Sequence, residues 1–257
     1  DTRQLGVVTV ETDEGASGNA FLGSSRIGAD HFVRGLIEFI KPLVMGRDPQ
    51  DIGAIWWNMW KMNRSVSTSV IGAIDVCLWD INGKIAGQPI HRLLGTCKES
   101  VPVYSSTAYH ETIEEYAEEA VRIKEMGWTA HKIHPHGDPR TDIAISRAVR
   151  EAVGDEMKLM LDSMWAYKYE DALRVGRAIE ELDFYWYEDP LRDGGVSQFA
   201  HRKLRQLIKT PLLMTEHIRG LEPHVDFMVA EATDFVRGDV MFEGITGAMK
   251  LAHAAEG

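Results

Sequence analysis

Asp162, Glu188 and Glu216 each close a short apolar run: Lys158-Leu-Met-Leu-Asp162, Phe184-Tyr-Trp-Tyr-Glu188 and Leu212-Leu-Met-Thr-Glu216. The acids stand 26 and 28 positions apart. Each interval has room for a strand, a helix and two short loops. In a parallel α/β barrel the C-terminal strand ends converge at one mouth, where the active site is built. Three hard oxygen ligands meeting there suit Mg²⁺, which prefers carboxylates and keeps positions open for water or substrate.

Lys132 and His134 add a second kind of chemistry. They are separated by one residue, so on a strand both side chains face the same way. Pro135-His136-Gly137 breaks that strand at once and puts the pair near the mouth. A lysine and a metal beside an imidazole favour its neutral form, which leaves a base available near neutral pH. A general base next to a divalent ion is what removal of a proton α to a carboxylate requires. Metal and lysine take up the charge developing on the substrate oxygens, and His134 takes the proton.

The spacing of apolar residues predicts the elements that hold these groups. From Val101 the chain alternates strand and helix: strands at 101–105, 129–134, 158–162, 184–188, 212–216 and 235–241. Helices are expected at 112–126, 142–153, 170–182, 199–208, 223–230 and 246–255. Six βα units of 25–30 residues point to a parallel sheet covered by helices. Residues 1–100 read as a smaller α+β unit. A hairpin is expected from Gly6 to Gly23, with helices over 30–44, from Ile52 onward, and over 69–85. The last of these is apolar on most sides, as a buried helix would be. Six units do not close a barrel of eight: either an open six-stranded α/β sheet is expected or, the favoured reading, a partial chain whose further strands follow Gly257.

Composition narrows the partners. A formal charge of −11 over 257 residues argues against nucleic acid and anionic membranes, both of which attract basic surfaces. No apolar run approaches a membrane span, and no charged-then-apolar segment opens the sequence. Two cysteines, Cys77 and Cys97, fit a reducing compartment, so a cytoplasmic location is expected.

Taken in order, these motifs resemble the enolase superfamily, specifically its mandelate racemase-like branch. Val8 to Gly15 resembles the start of that family's capping domain. Ala73-Ile-Asp75, Trp79-Asp80 and Pro89-Ile-His-Arg-Leu-Leu-Gly95 resemble its long helix and the lead into the barrel. Lys132-Ile-His134 falls where the family carries an acid/base motif that is often Lys-x-Lys. Asp162, Glu188-Asp-Pro190 and Glu216 fall on its three Mg²⁺ ligands. The segment from Gly238 to Gly247 resembles its sixth-strand region, whose aspartate, here Asp239, supports a histidine on strand seven. Departures are His134 in place of the second lysine, and Met164 where an asparagine is usual.

The resemblance implies an α+β capping domain over residues 1–100 and a TIM-like (β/α) barrel over 101–257. The capping loop from Gly18 to Arg26 is expected to close over the substrate. The implied activity is Mg²⁺-dependent abstraction of the proton α to a carboxylate, followed by dehydration of an acid sugar to a 2-keto-3-deoxy acid. Lys132, His134 and Asp239 are the expected catalytic residues; His136 and His217, near the mouth, are expected to touch the substrate. A racemase or epimerase of a hydroxy acid or amino-acid derivative is the alternative within enzymes. A non-catalytic relative with a binding or structural role is the alternative outside them. The partner is a small carboxylate, and a homo-oligomer is expected. Three tryptophans at Trp56, Trp57 and Trp60 read as core or subunit contact.

Overall fold

The computed structural model describes residues 5–23 and 27–257, and the chain divides into two compact units. Residues 24–26 of the expected closing loop lie outside the described residues.

One unit comprises Asp1–Glu99, Arg219–Leu221 and Gly238–Gly257. It opens with an antiparallel hairpin, β1 (Gly6–Glu11) and β2 (Ser17–Leu22), in which Val8 faces Ala20. The helices α1 (Asp30–Gly35) and α2 (Lys41–Val44) flank a π-helical turn, Leu36–Ile40. Pro42 accounts for the wide turn. It has no amide hydrogen and its ring crowds the carbonyl four residues back, so the ladder slips and the Lys41 amide bonds Leu36. Next come α3 (Ile52–Trp60), α4 (Thr68–Ala86) and α5 (Ile90–Leu93). Ser67 caps α4 by accepting the Ser69 amide, and Gly87 ends it in the left-handed region at φ 61°. Val70, Ile71, Ile74, Cys77 and Leu78 of α4 are buried in a core with Trp56 and Met59.

The other unit comprises Ser100–Ile218 and Glu222–Arg237. Six parallel strands lie in sequential order: β3 (Ser105–Ser106), β4 (Ala130–Ile133), β5 (Lys158–Asp162), β6 (Trp186–Glu188), β7 (Leu212–Met214) and β8 (Phe235–Val236). Between them run α6 (Ile113–Glu125), α7 (Pro139–Val153), α8 (Tyr169–Glu181), α9 (Gln198–Arg205) and α10 (Leu221–Val229). This is the α/β order of a TIM barrel, as the alternation of the sequence predicts. α6 starts with a complete capping box from Thr112 and Glu115, and α7 starts at an Asp138 cap followed by Pro139.

The register sorts the strand side chains into two faces. Lys132 pairs with Met160, and Asp162 with Glu188, which puts the polar groups on one face. Ile133, Leu161, Tyr187, Leu212 and Met214 fall on the other and are buried in the core with Ile145, Val149, Val175 and Ile179 of α7 and α8.

The sixth strand is shorter than expected. It stops at Val236, and α11 (Val240–Glu256) begins where residues 237–241 were expected to extend it. Asp239 causes the switch: its carboxylate accepts the Met241 amide at 2.8 Å and caps the new helix. The segment Gly238–Gly257 groups with the N-terminal unit rather than with the strands.

Candidate active site

Each predicted ligand ends or follows a strand of the second unit. Asp162 and Glu188 are the last residues of β5 and β6, and Glu216 comes two residues after β7. Asp162 and Glu188 are buried, while Glu216 is partly open. One oxygen from each lies within 4.8 Å of the others. A single ion contacting all three at 2.0–2.6 Å would set its ligand oxygens no more than about 5 Å apart. The donor set and its span therefore fit a hard divalent cation.

Two cations of the chain stand between these acids. Lys132 Nζ donates to Asp162 Oδ2 and Glu188 Oε2, each at 2.9 Å. Arg237 Nη1 lies 2.7 Å from both Glu188 Oε1 and Glu216 Oε2. Glu188 is thus held on both oxygens, and Trp186 Nε1 adds a third donor at 3.3 Å.

The charges shift one another. Burial opposes the Lys132 ammonium, yet attraction from Asp162 and Glu188 outweighs it and holds the pKa above the usual value. Burial also opposes the Asp162 carboxylate. The bond from His134 and the charge of Lys132 overcome that and hold it below the usual range. For Asp189 the opposing pull of Arg237 is too weak. Burial, then repulsion from Asp162, Glu188 and Glu216, pushes its carboxyl up to about 8. It therefore stays largely protonated at neutral pH, and its buried Oδ1 has no partner among the described residues. With Asp189 protonated, three acids still face two cations, a surplus of negative charge of the kind a bound cation offsets.

His134 lies on the same face as Lys132. Its Nδ1 is 2.7 Å from the Thr107 carbonyl, which can only accept, so Nδ1 carries a hydrogen. That leaves Nε2 as the nitrogen facing the cluster, 3.1 Å from Asp162 Oδ2. The Tyr116 hydroxyl donates to the His134 carbonyl at 2.8 Å and fixes the strand end.

His136 and His217 flank the cluster differently. Asp142 accepts the amides of His136 and Gly137 at 3.1 and 3.0 Å and a bond from the Tyr167 hydroxyl, which shapes the loop after β4. The His136 ring is exposed and stacks on Tyr109. Tyr109 also donates to Met164 Sδ at 2.8 Å, in the place where the family usually has an asparagine. His217 Nε2 lies 3.6 Å from Glu216 and 3.9 Å from Asp189, under the edge of Trp165. Asp189, Glu216 and His217 form a second group able to hold a metal, and it shares Glu216 with the first. Asp239 belongs to the other unit, and its carboxylate serves as the α11 cap described above.

Strand parity gives Lys132 and His134, and position at a strand end gives the three acids; neither gives Arg237, Asp189 or the Thr107 carbonyl. Met164, Trp165, Asp189 and Thr215, all in loops after β5, β6 and β7, have positive φ without being glycine. That strain, a frequent mark of a site under constraint, is invisible in composition.

Comparison with known proteins identifies the family and the fold. The family profile "Mandelate racemase / muconate lactonizing enzyme, N-terminal domain" matches residues 1–95, and "Enolase C-terminal domain-like" matches residues 115–257. The chain is 30% identical to L-talarate/galactarate dehydratase of Salmonella typhimurium, over 97% of this chain and 64% of that protein. It is 30% identical to arabinonate dehydratase of Saccharolobus solfataricus, over 96% of this chain and 68% of that protein. The structure of D-glucarate dehydratase from Agrobacterium tumefaciens, complexed with magnesium, superimposes with a TM-score of 0.89 at 29% identity. That match covers 97% of this chain and 69% of the other. The chain thus spans about two thirds of the length of these relatives.

Proposed function

Because the chain belongs to the mandelate racemase/muconate lactonizing enzyme family of the enolase superfamily, we propose that it is a Mg²⁺-dependent acid-sugar dehydratase. The substrate is an aldonic or aldaric acid, and the product a 2-keto-3-deoxy acid. The observation that carries this reading is the convergence of Lys132, His134, Asp162, Glu188 and Glu216 on one face. The names of the relatives, all acting on sugar acids, support the substrate class.

Asp162, Glu188 and Glu216 would hold the divalent ion, which would supply Lewis-acid stabilisation of charge on the substrate oxygens. Once the hydrogen that His134 Nε2 shares with Asp162 is released, Nε2 takes the α-proton, its ring held in place by the Thr107 carbonyl. Lys132, kept charged by its two acids, stabilises the developing enediolate. The β-hydroxyl then leaves as water with a proton from a histidine at the mouth, a role assigned to His217, while His136 contacts the hydroxyls of the sugar. Asp239 retains a catalytic supporting role in this proposal, beside its visible duty as a helix cap. Residues 1–100 act as the capping domain that sets specificity. The protein works in the cytoplasm as a homo-oligomer; among the described residues no helix is long and apolar enough to cross a membrane.

Incubation with Mg²⁺ and a panel of aldonic and aldaric acids tests the reading. A 2-keto-3-deoxy product from at least one acid is expected. Exchange of the α-proton without elimination would replace the dehydratase by a racemase or epimerase. Absence of both product and Mg²⁺ binding would leave a non-catalytic relative.

A further inference from the structure

Two buried or half-buried arginines of the second unit are used in contrasting ways. Arg150 spends its whole guanidinium on backbone carbonyls: Nε on Leu182, Nη1 on Gly154 and Met157, and Nη2 on Asp183. It is a structural tie. Arg237 spends a single nitrogen. Its Nη1 sits between Glu188 and Glu216, while Nε and Nη2 make no hydrogen bond to any described residue. Its side chain is 30% exposed, so that unspent edge is neither packed away nor fully in bulk water.

The Nε–Nη2 edge of a guanidinium carries parallel N–H donors at the spacing of a carboxylate's two oxygens. Here the opposite corner is fixed by two acids, one of them fully buried, so the plane of the group is set before any ligand arrives. Pre-ordering of this kind lowers the cost of binding. The edge lies beside the cluster to which the substrate is assigned above, and this inference rests on that assignment. We propose that Arg237 is a specificity-determining residue whose Nε–Nη2 edge receives a carboxylate of the substrate while Nη1 stays on Glu188 and Glu216. The carboxylate is either the reacting one or, in an aldaric acid, the remote one.

Calorimetric titration of the protein with D-glucarate, D-gluconate and the uncharged polyol D-glucitol tests this, in Mg²⁺ buffer and again in EDTA. Wild type is expected to bind the acids and not the polyol. Arg237→Lys keeps the charge but loses the fork, and should weaken acid binding at least tenfold; Arg237→Gln should weaken it further. A loss confined to glucarate assigns the remote carboxylate, and an equal loss for both acids assigns the reacting one. Circular dichroism and thermal melts identify folded variants, and Arg237→Lys alone carries the test if Arg237→Gln does not fold. The proposal is overturned if folded Arg237→Lys binds both acids as tightly as wild type, or if wild type binds neither in either buffer. A change in Mg²⁺ affinity with acid binding untouched also overturns it, since that is the signature of a purely structural arginine. Isotope exchange at the α-carbon, followed separately in wild type, reports on the dehydratase reading. Exchange with Arg237-independent binding removes only this inference, whereas Arg237-dependent binding without exchange removes only that reading.

Discussion

Glu188 joins the two halves of the cation network, with Lys132 on one oxygen and Arg237 on the other. Substituting it removes a proposed metal ligand and leaves both cations short of a partner. Glu188→Gln is therefore expected to lower Mg²⁺ affinity at least tenfold, measured by calorimetry, with the fold retained by circular dichroism. Unchanged affinity would remove Glu188 from the ligand set. His131, next to Lys132 but on the opposite strand face, shows burial outweighing the pull of an acid, Glu119, on an imidazole. It is 1% exposed, its Nδ1 has no partner among the described residues, and burial pushes its pKa down to about 4. A base with a lowered folded pKa contributes stability above its unfolded value, near 6.5, and loses it as pH falls toward 4. The full effect is about 3 kcal/mol, since one pKa unit is worth about 1.4 kcal/mol. Urea unfolding at pH 7 and pH 4.5 should show a marked loss for wild type and a smaller one for His131→Asn. Equal losses would contradict the assignment. Strand parity made Lys132, His134 and the outward His131 legible in the sequence. Arg237 was not, because its partner Glu188 is 49 residues away and nothing in the local pattern marks a residue between a short strand and a glycine.

At the scale of elements, α4 and α11 are matched to each other by close contacts. Asp75 on α4 accepts the Thr246 amide at 2.9 Å and its hydroxyl at 2.7 Å, and Trp79 Nε1 donates to the same hydroxyl. Gly244 has φ 70° and interrupts the helical geometry inside α11, and a Cβ there would lie 2.3 Å from Asp75 Oδ2. Gly244→Ala combines a left-handed backbone with a steric overlap and should destabilise the protein by about 2 kcal/mol or more. A thermal melt checks this, and a melting temperature unchanged from wild type would contradict the packing described. Burial raises the Asp75 carboxyl to about 6 against the opposing bonds from Thr246. Its contribution to stability declines as pH rises through that value, opposite in sign to that of His131. The pH comparison above cancels it, because Asp75 is present in both proteins. The long apolar helix, the hairpin and the six βα units follow from periodicity and turn residues, with ends displaced by a few positions. The π-helical turn and the early end of the sixth strand do not. Each depends on a single residue, Pro42 or Asp239, that overrides an otherwise regular apolar pattern.

At the scale of the molecule, a formal charge of −11 surrounds a site that itself has more acids than cations. The ordered set of motifs, spread from Val8 to Gly247, was legible because barrel topology spaces strand ends regularly; each motif alone would not have identified the family. The strained loop residues and the second oxygen of Glu188 became visible only in three dimensions. The central claim is that His134 is the base removing a proton α to a carboxylate beside a Mg²⁺ site. Its most direct measurement is proton NMR in D₂O with Mg²⁺, following loss of the α-proton signal from an acid-sugar substrate. Wild type should exchange or eliminate that proton, and folded His134→Asn that still binds Mg²⁺ should do so about 10²–10⁴-fold more slowly. Equal rates for the two proteins would contradict the account.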